Sequence, residues 1–154
     1  MWNLGAFEGK SALVDEFGCS LTYGEIQKES TIISEYIGER CLVFSLCENS
    51  IGSILGYIAF VNAKIVPVLL NAHLERELLY TLIEKYSPEF LWVPDAMIEE
   101  FKNGECIYSI YGYSLLKMNF SKHYELNSEL CLLLTTSGST GSPKFVRQSY
   151  KNVE

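Results

Sequence analysis

Three short apolar runs, Cys41–Leu46, Ile65–Leu70 and Phe90–Val93, are separated by stretches of helical length. This alternation restricts the fold more than any other feature of the chain. Apolar runs of four to six residues without polar alternation read as strands buried on both faces. Between the first two runs, Asn49 or Ser50 is placed to cap a helix reaching about Asn62. Between the second and third, Leu74, Leu78, Leu82 and Tyr86 recur every fourth position, with Leu79 and Ile83 beside them. That spacing predicts an amphipathic helix from about Leu74 to Tyr86, stopped at Ser87-Pro88. Pro67 removes a ladder donor from its run and predicts an edge strand or a strand end.

Upstream, Ser11–Asp15 reads as a strand with a turn at Glu16-Phe17-Gly18. Thr22-Tyr23-Gly24-Glu25 has the capping-box spacing, a hydroxyl followed three residues on by a carboxylate. It opens a helix to about Glu39, with Ile26, Ile33 and Ile37 toward the core. Strand and helix thus alternate at least three times before residue 94. The expected class is α/β, a layered, mainly parallel sheet flanked by helices. Downstream, a weaker helix spans about Ala96 to Lys102. Ile107–Tyr111 and Ser114–Met118 form two strands around Gly112, so Tyr108–Tyr113 reads as a twisted hairpin. Leu130–Leu134 is a buried strand that runs into a Gly/Ser/Thr loop. Ligands of open parallel sheets bind in loops at the carboxyl ends of strands, and this loop begins at such an end.

At 154 residues, 48 % hydrophobic and 20 % charged, the chain can bury one real core. The longest candidate span, Ile51–Leu70, is interrupted by Asn62, Lys64 and Pro67 and does not read as membrane-crossing. Residues 1–5 lack the basic start and apolar core of a signal peptide, so the default location is the cytoplasm. A net charge of −7 argues against nucleic acid as a partner. From Thr135 to Lys151, however, the charged residues are Lys144, Arg147 and Lys151, with no acid among them, so an anion can be received there. Cys19, Cys41, Cys47, Cys106 and Cys131 are odd in number and lack CxxC spacing, and His73 and His123 lie near none of them. Buried, reduced thiols are expected rather than disulfides or zinc.

The loop reads Thr135-Thr136-Ser137-Gly138-Ser139-Thr140-Gly141-Ser142-Pro143-Lys144. Gly138 and Gly141 permit positive φ and close backbone approach to a ligand. Successive N–H groups in such a turn can form an anion-binding concavity. The hydroxyls of Thr136, Ser137, Ser139 and Thr140 can donate to phosphate oxygens or reach a metal ion. Lys144 supplies a point charge suited to polyphosphate. Pro143 between Ser142 and Lys144 rules out the Walker pattern, and GxGxxG is absent. A flexible Gly/Ser/Thr linker is the bland alternative, but a linker needs no apolar strand on either side. The segment Thr136 to Ser142, small and polar, is expected to be the most mobile internal part of the chain. Arg147 and Lys151 read as solvated charges, and Phe145 and Tyr150 as packing residues.

Thr136 to Lys144 closely resembles the phosphate-binding signature T/S-S-G-S/T-T-G-x-P-K-G of the adenylate-forming (AMP-binding) superfamily, which includes acyl-CoA synthetases and the adenylation domains of peptide synthetases. Phe145 replaces the final Gly, and Ser149-Tyr150-Lys151-Asn152 has Tyr where S-H-x-N has His. Weaker likenesses occur in order. Leu21–Glu25 is similar to L-T-Y-x-E, and Glu48-Asn49-Ser50 to P-N-S. Asn62–Val68 is similar to K-A-G-x-x-x-P-L, with Lys64 in place of Gly and the Pro shifted. The resemblance implies an ATP-dependent ligase that joins a carboxylic acid to AMP and passes it to a thiol of CoA or of a carrier protein's phosphopantetheine. It implies that Thr136, Ser137, Gly138, Ser139, Thr140, Gly141 and Lys144 hold the β- and γ-phosphates with Mg²⁺, and that Thr136 or Thr140 is the candidate Mg²⁺ contact. It identifies no catalytic residue in this stretch. Residues 1–154 are expected to be the N-terminal subdomain of an AMP-binding domain, truncated after the 136–144 motif and inactive alone. The remainder of a parent chain is then a partner, and the acyl pocket and later motifs lie beyond residue 154. Two rival readings stay open: a non-catalytic scaffold or pseudo-enzyme module, and another phosphate-binding enzyme with a convergent loop.

Overall fold

The computed structural model describes residues 2–119, 122–136 and 144–153. After a 3-10 turn at Leu4–Phe7, β1 (Ser11–Val14) and β2 (Ser20–Thr22) pair as a small antiparallel ribbon that leads into α1 (Tyr23–Ile37). The capping box is formed. The Glu25 N–H donates to Thr22 Oγ1 at 3.2 Å, and the Thr22 N–H donates to Glu25 Oε2 at 2.7 Å. The helix ends at Gly38, whose φ of 81° suits a residue without a Cβ.

Then follow β3 (Leu42–Cys47), α2 (Ile51–Asn62, capped by Ser50), β4 (Val66–Asn71), α3 (Arg76–Tyr86) and β5 (Phe90–Pro94). The weak helix near residue 96 is a 3-10 stretch, Asp95–Glu100. Next come β6 (Gly104–Ile110), β7 (Tyr113–Met118), β8 (Leu130–Thr136), β9 (Lys144–Ser149) and a turn of helix, α4 (Tyr150–Val153). Seven strands form one sheet in the order β6-β7-β5-β3-β4-β8-β9. The inner four, β5, β3, β4 and β8, are parallel. The β6–β7 hairpin at one end and β9 at the other are antiparallel additions.

The strands are apolar on both faces because helices cover both. Leu42, Phe44 and Leu46 of β3 pack with Leu79, Leu82 and Ile83 of α3. Val43 on the opposite face packs with Ile26 and Ile33 of α1 and Leu55, Ala59 and Phe60 of α2. Each such Val, Leu, Ile or Phe side chain, fully buried, contributes about 1.5–3 kcal/mol. Trp92 of β5 is wholly buried on the α2 face, and its indole N–H donates to the Gly52 carbonyl at 3.0 Å.

One expectation is met in part and another changes. Pro67 is the second residue of its strand, at the strand end expected of it, but the strand is interior, between β3 and β8. The Val66 N–H donates to Cys41 of the β3 side. By alternation the donor missing at Pro67 faces β8, whose pairing with β4 begins only at Val68. The Leu130–Leu134 strand is buried only at Cys131 and Leu132, and Leu134 is 37 % exposed, since β9 lies at the edge of the sheet.

Candidate functional site

The four parallel strands end on one edge, at Cys47, Asn71, Pro94 and Thr136. Thr136 pairs with Lys144 across the β8–β9 ladder, so both ends of segment 137–143 stand at that edge. Ser137, Gly138, Ser139, Thr140 and Gly141 lie outside the described residues, as does the expected order of the loop, and of Thr136 only the backbone is described. Lys144 is exposed at the mouth of the hairpin, opposite Thr136.

The flanks of the hairpin are fixed by packing. The Thr135 hydroxyl donates to the Leu69 carbonyl at 3.4 Å, tying β8 to β4 one residue before the loop position. Phe145, where the resemblance has Gly, is anchored between Tyr86 and Phe44, with ring centroids 4.9 and 6.4 Å away. Phe145 therefore packs, as expected, and its ring belongs to the α3-side core. Tyr150 also packs, and its hydroxyl accepts from Arg40 at 3.0 Å. Arg147 and Lys151 are exposed.

The neighbouring loops on the same edge are pinned by hydrogen bonds. The Ala72 N–H donates to the Cys47 carbonyl at 2.9 Å, which joins the ends of β3 and β4. The Asn71 side chain accepts from the His73 N–H at 2.8 Å. Arg76 grips Glu100 with Nε and Nη2, at 2.7 and 3.1 Å, and donates to the Ala72 carbonyl at 3.1 Å. Glu48-Asn49-Ser50 places the amino end of α2 here, and α3 starts here as well. Helix amino termini carry partial positive charge, so this edge favours an anion.

The weaker motifs take structural roles. Thr22 and Glu25 form the cap of α1. Lys64 has φ of 60°, the left-handed conformation that Gly adopts without strain, which accounts for the Gly of the resembling motif. All five cysteines are unpaired. Burial pushes the Cys41 thiol up to about 12, with Glu89 and Glu39 adding to the rise, and burial also raises Cys47 and Cys131. Cys19 and Cys106 are exposed, contrary to expectation, because the β1–β2 turn and β6 lie at the periphery. Among the described residues, no helix is long and apolar enough to cross a membrane.

A family model described as AMP-binding enzyme matches residues 2–154. No curated protein matches the chain by sequence. Among solved structures, an anthranilate CoA ligase, AuaEII, in complex with anthranoyl-AMP superposes with a TM-score of 0.72 at 21 % identity, covering 97 % of this chain and 32 % of its own. The apo MatB of Rhodopseudomonas palustris gives 0.69 at 18 % identity, covering 92 % and 32 %. The O-succinylbenzoate coenzyme A synthetase (MenE) of Bacillus subtilis in complex with AMP gives 0.64 at 20 %, covering 95 % and 40 %. At these identities the likeness establishes the fold, and the chain spans well under half the length of each of these relatives.

Proposed function

The chain belongs to the AMP-binding enzyme family, and from that premise we propose that it is the N-terminal subdomain of an ATP-dependent acid–thiol ligase, with residues 136–144 as its phosphate loop. The observation that carries this reading is the pairing of Thr136 with Lys144 at the carboxyl edge of the parallel strands. It sets the two residues that flank the Gly/Ser/Thr segment, one of them a lysine, at the edge where helix amino termini also lie.

In the reaction, a carboxylate oxygen bonds to the α-phosphorus of ATP and the bond to pyrophosphate breaks, which yields an acyl-adenylate. A thiol, on CoA or on a carrier protein's phosphopantetheine, then attacks the acyl carbon and AMP leaves. The residues of this chain act on the leaving group. Backbone N–H groups and the hydroxyls of Thr136, Ser137, Ser139 and Thr140 hold β- and γ-phosphate oxygens, and Lys144 offsets the charge that develops on pyrophosphate. No proton transfer is assigned to them.

Mg²⁺ fits this donor set. Among the described residues no cluster of three or more His, Cys, Asp or Glu could hold a metal ion. A magnesium ion bound mainly by phosphate oxygens and water needs only one or two protein oxygens, which the Thr136 or Thr140 hydroxyl can supply. When bound, it neutralises phosphate charge. The reaction is assigned to the cytoplasm, and the five unpaired cysteines agree with a reducing compartment.

The test is exchange of radiolabelled pyrophosphate into ATP by the longer protein that carries this chain, across a panel of carboxylic acids. Lys144→Ala is expected to lower kcat/KM for ATP about 10- to 100-fold, the loss of a charged hydrogen bond to phosphate. Unchanged ATP kinetics in that variant would remove Lys144 from the phosphate site.

A further inference from the structure

The ladder between β4 and β8 is short. It pairs Val68 with Leu133 and Leu69 with Leu134. Below that level Pro67 has no N–H to offer toward β8, so the amino half of β8, Leu130–Leu132, has no ladder partner in β4. The Arg40 side chain stands at this gap. Its Nη1 donates to the carbonyl of Lys64, in the turn that leads into β4, and to the Tyr150 hydroxyl at 3.0 Å. Its Nη2 donates to the carbonyls of Asn127, before the turn that precedes β8, and of Leu130, the first residue of β8, at 2.9 and 2.6 Å. One planar fork therefore joins the start of β4, the start of β8 and the residue that follows β9. Only guanidinium has enough donors in a fixed plane to do this; a lysine ammonium is a single point.

We propose that Arg40 is the positioning residue of the phosphate loop: its guanidinium replaces the β4–β8 ladder that Pro67 leaves unmade and fixes the β8–β9 pair that presents residues 137–143. Its bearing on phosphate rests on the ligase reading, while its hold on the strand pair does not. Tyr150 is part of the device. It stands where the resembling motif has His, and its hydroxyl accepts from the same Nη1 that reaches Lys64. A cation–π contact adds to it, with Cζ 6.0 Å from the Tyr150 ring.

Amide hydrogen exchange on this chain, read segment by segment by mass spectrometry, tests the structural half without any nucleotide. In Arg40→Lys and Arg40→Ala, amides of β8 and β9 are expected to exchange about tenfold or more faster, while those of β3 and β5 stay within about twofold of the parent. Should Arg40→Ala fail to fold, Arg40→Lys, which keeps the charge and the stem, decides alone. Uniform acceleration across all strands, or none, would overturn the proposal, because a general loss of stability opens every strand alike. The functional half is read in a preparation active in pyrophosphate exchange. There Arg40→Lys is expected to raise KM for ATP about tenfold with KM for the carboxylate unchanged, as misplacement of a binding loop does. An equal rise in both constants, or in neither, would sever Arg40 from the phosphate loop. Absence of exchange activity in the parent protein would instead refute the ligase reading and leave the hydrogen-exchange result standing.

Discussion

Glu25 shows how much a single exposed side chain can do when its partners are local. Its carboxylate accepts from the Thr22 backbone N–H first and the Thr22 hydroxyl second, and these bonds hold its pKa below the ordinary value of 4.5. Because the folded value is the lower one, the stabilisation is fully present above 4.5 and is lost as pH falls through the folded value. Melting curves of the parent and of Glu25→Gln are therefore expected to differ near neutral pH and to draw together as pH falls below 4.5. A gap that stayed constant with pH would mean that the charged form is not what caps the helix. The effect is small, since the group is fully exposed and screened. This cap was legible in the sequence because donor and acceptor are three residues apart. Arg40 was not. Its acceptors are mostly backbone carbonyls, which any residue supplies, and they lie 24 to 90 positions away. The exposure of Cys19 and Cys106 was equally hidden, because it depends on which elements end up at the periphery.

The helices and parallel strands were legible for a common reason: each carries its own periodicity or apolar run, set by burial against its neighbours. What a run cannot report is its partner. The pairing of β2 with β1 and the antiparallel addition of β9 depend on contacts absent from the local pattern. The face of α2 is a further case. Gly52 and Gly56 are four residues apart on one stripe, and the ring of Trp92 lies against it. A Cβ on Gly56 would come within 2.5 Å of Trp92 Cδ1 and closer still to Nε1. Two effects oppose each other in Gly56→Ala. Helix propensity favours alanine by about 1 kcal/mol, whereas forcing a methyl into a packed core costs about 1–3 kcal/mol. Trp92 is fully buried and its N–H is committed to Gly52, so it has nowhere to retreat and the clash wins. Gly56→Ala is expected to lower the denaturant midpoint, with a net loss of up to about 2 kcal/mol, and to shift the Trp92 fluorescence. A variant as stable as its parent would show that the indole can move away from α2.

At the scale of the whole molecule, the ligase reading makes the chain one edge of a nucleotide site. Family and fold are established from residues 2–154, yet the three solved relatives are covered over only 32 to 40 % of their length. On the ligase reading, the groups that would hold adenine and ribose belong to motifs outside this stretch. A phosphate loop without them gains affinity only through charge and hydrogen bonds to a strongly hydrated polyphosphate, and it must also order itself around the ligand. An acidic molecule of net charge −7 works against that contact at long range. The 154-residue chain alone is therefore expected to show no adenylate formation with any carboxylic acid. Its dissociation constant for Mg·ATP should be far weaker than micromolar, the level that corresponds to about −8 kcal/mol. Isothermal titration calorimetry measures this directly. Micromolar binding by the isolated chain would mean that these residues already hold the base or the sugar, and the boundary proposed for the nucleotide site would have to be redrawn around them.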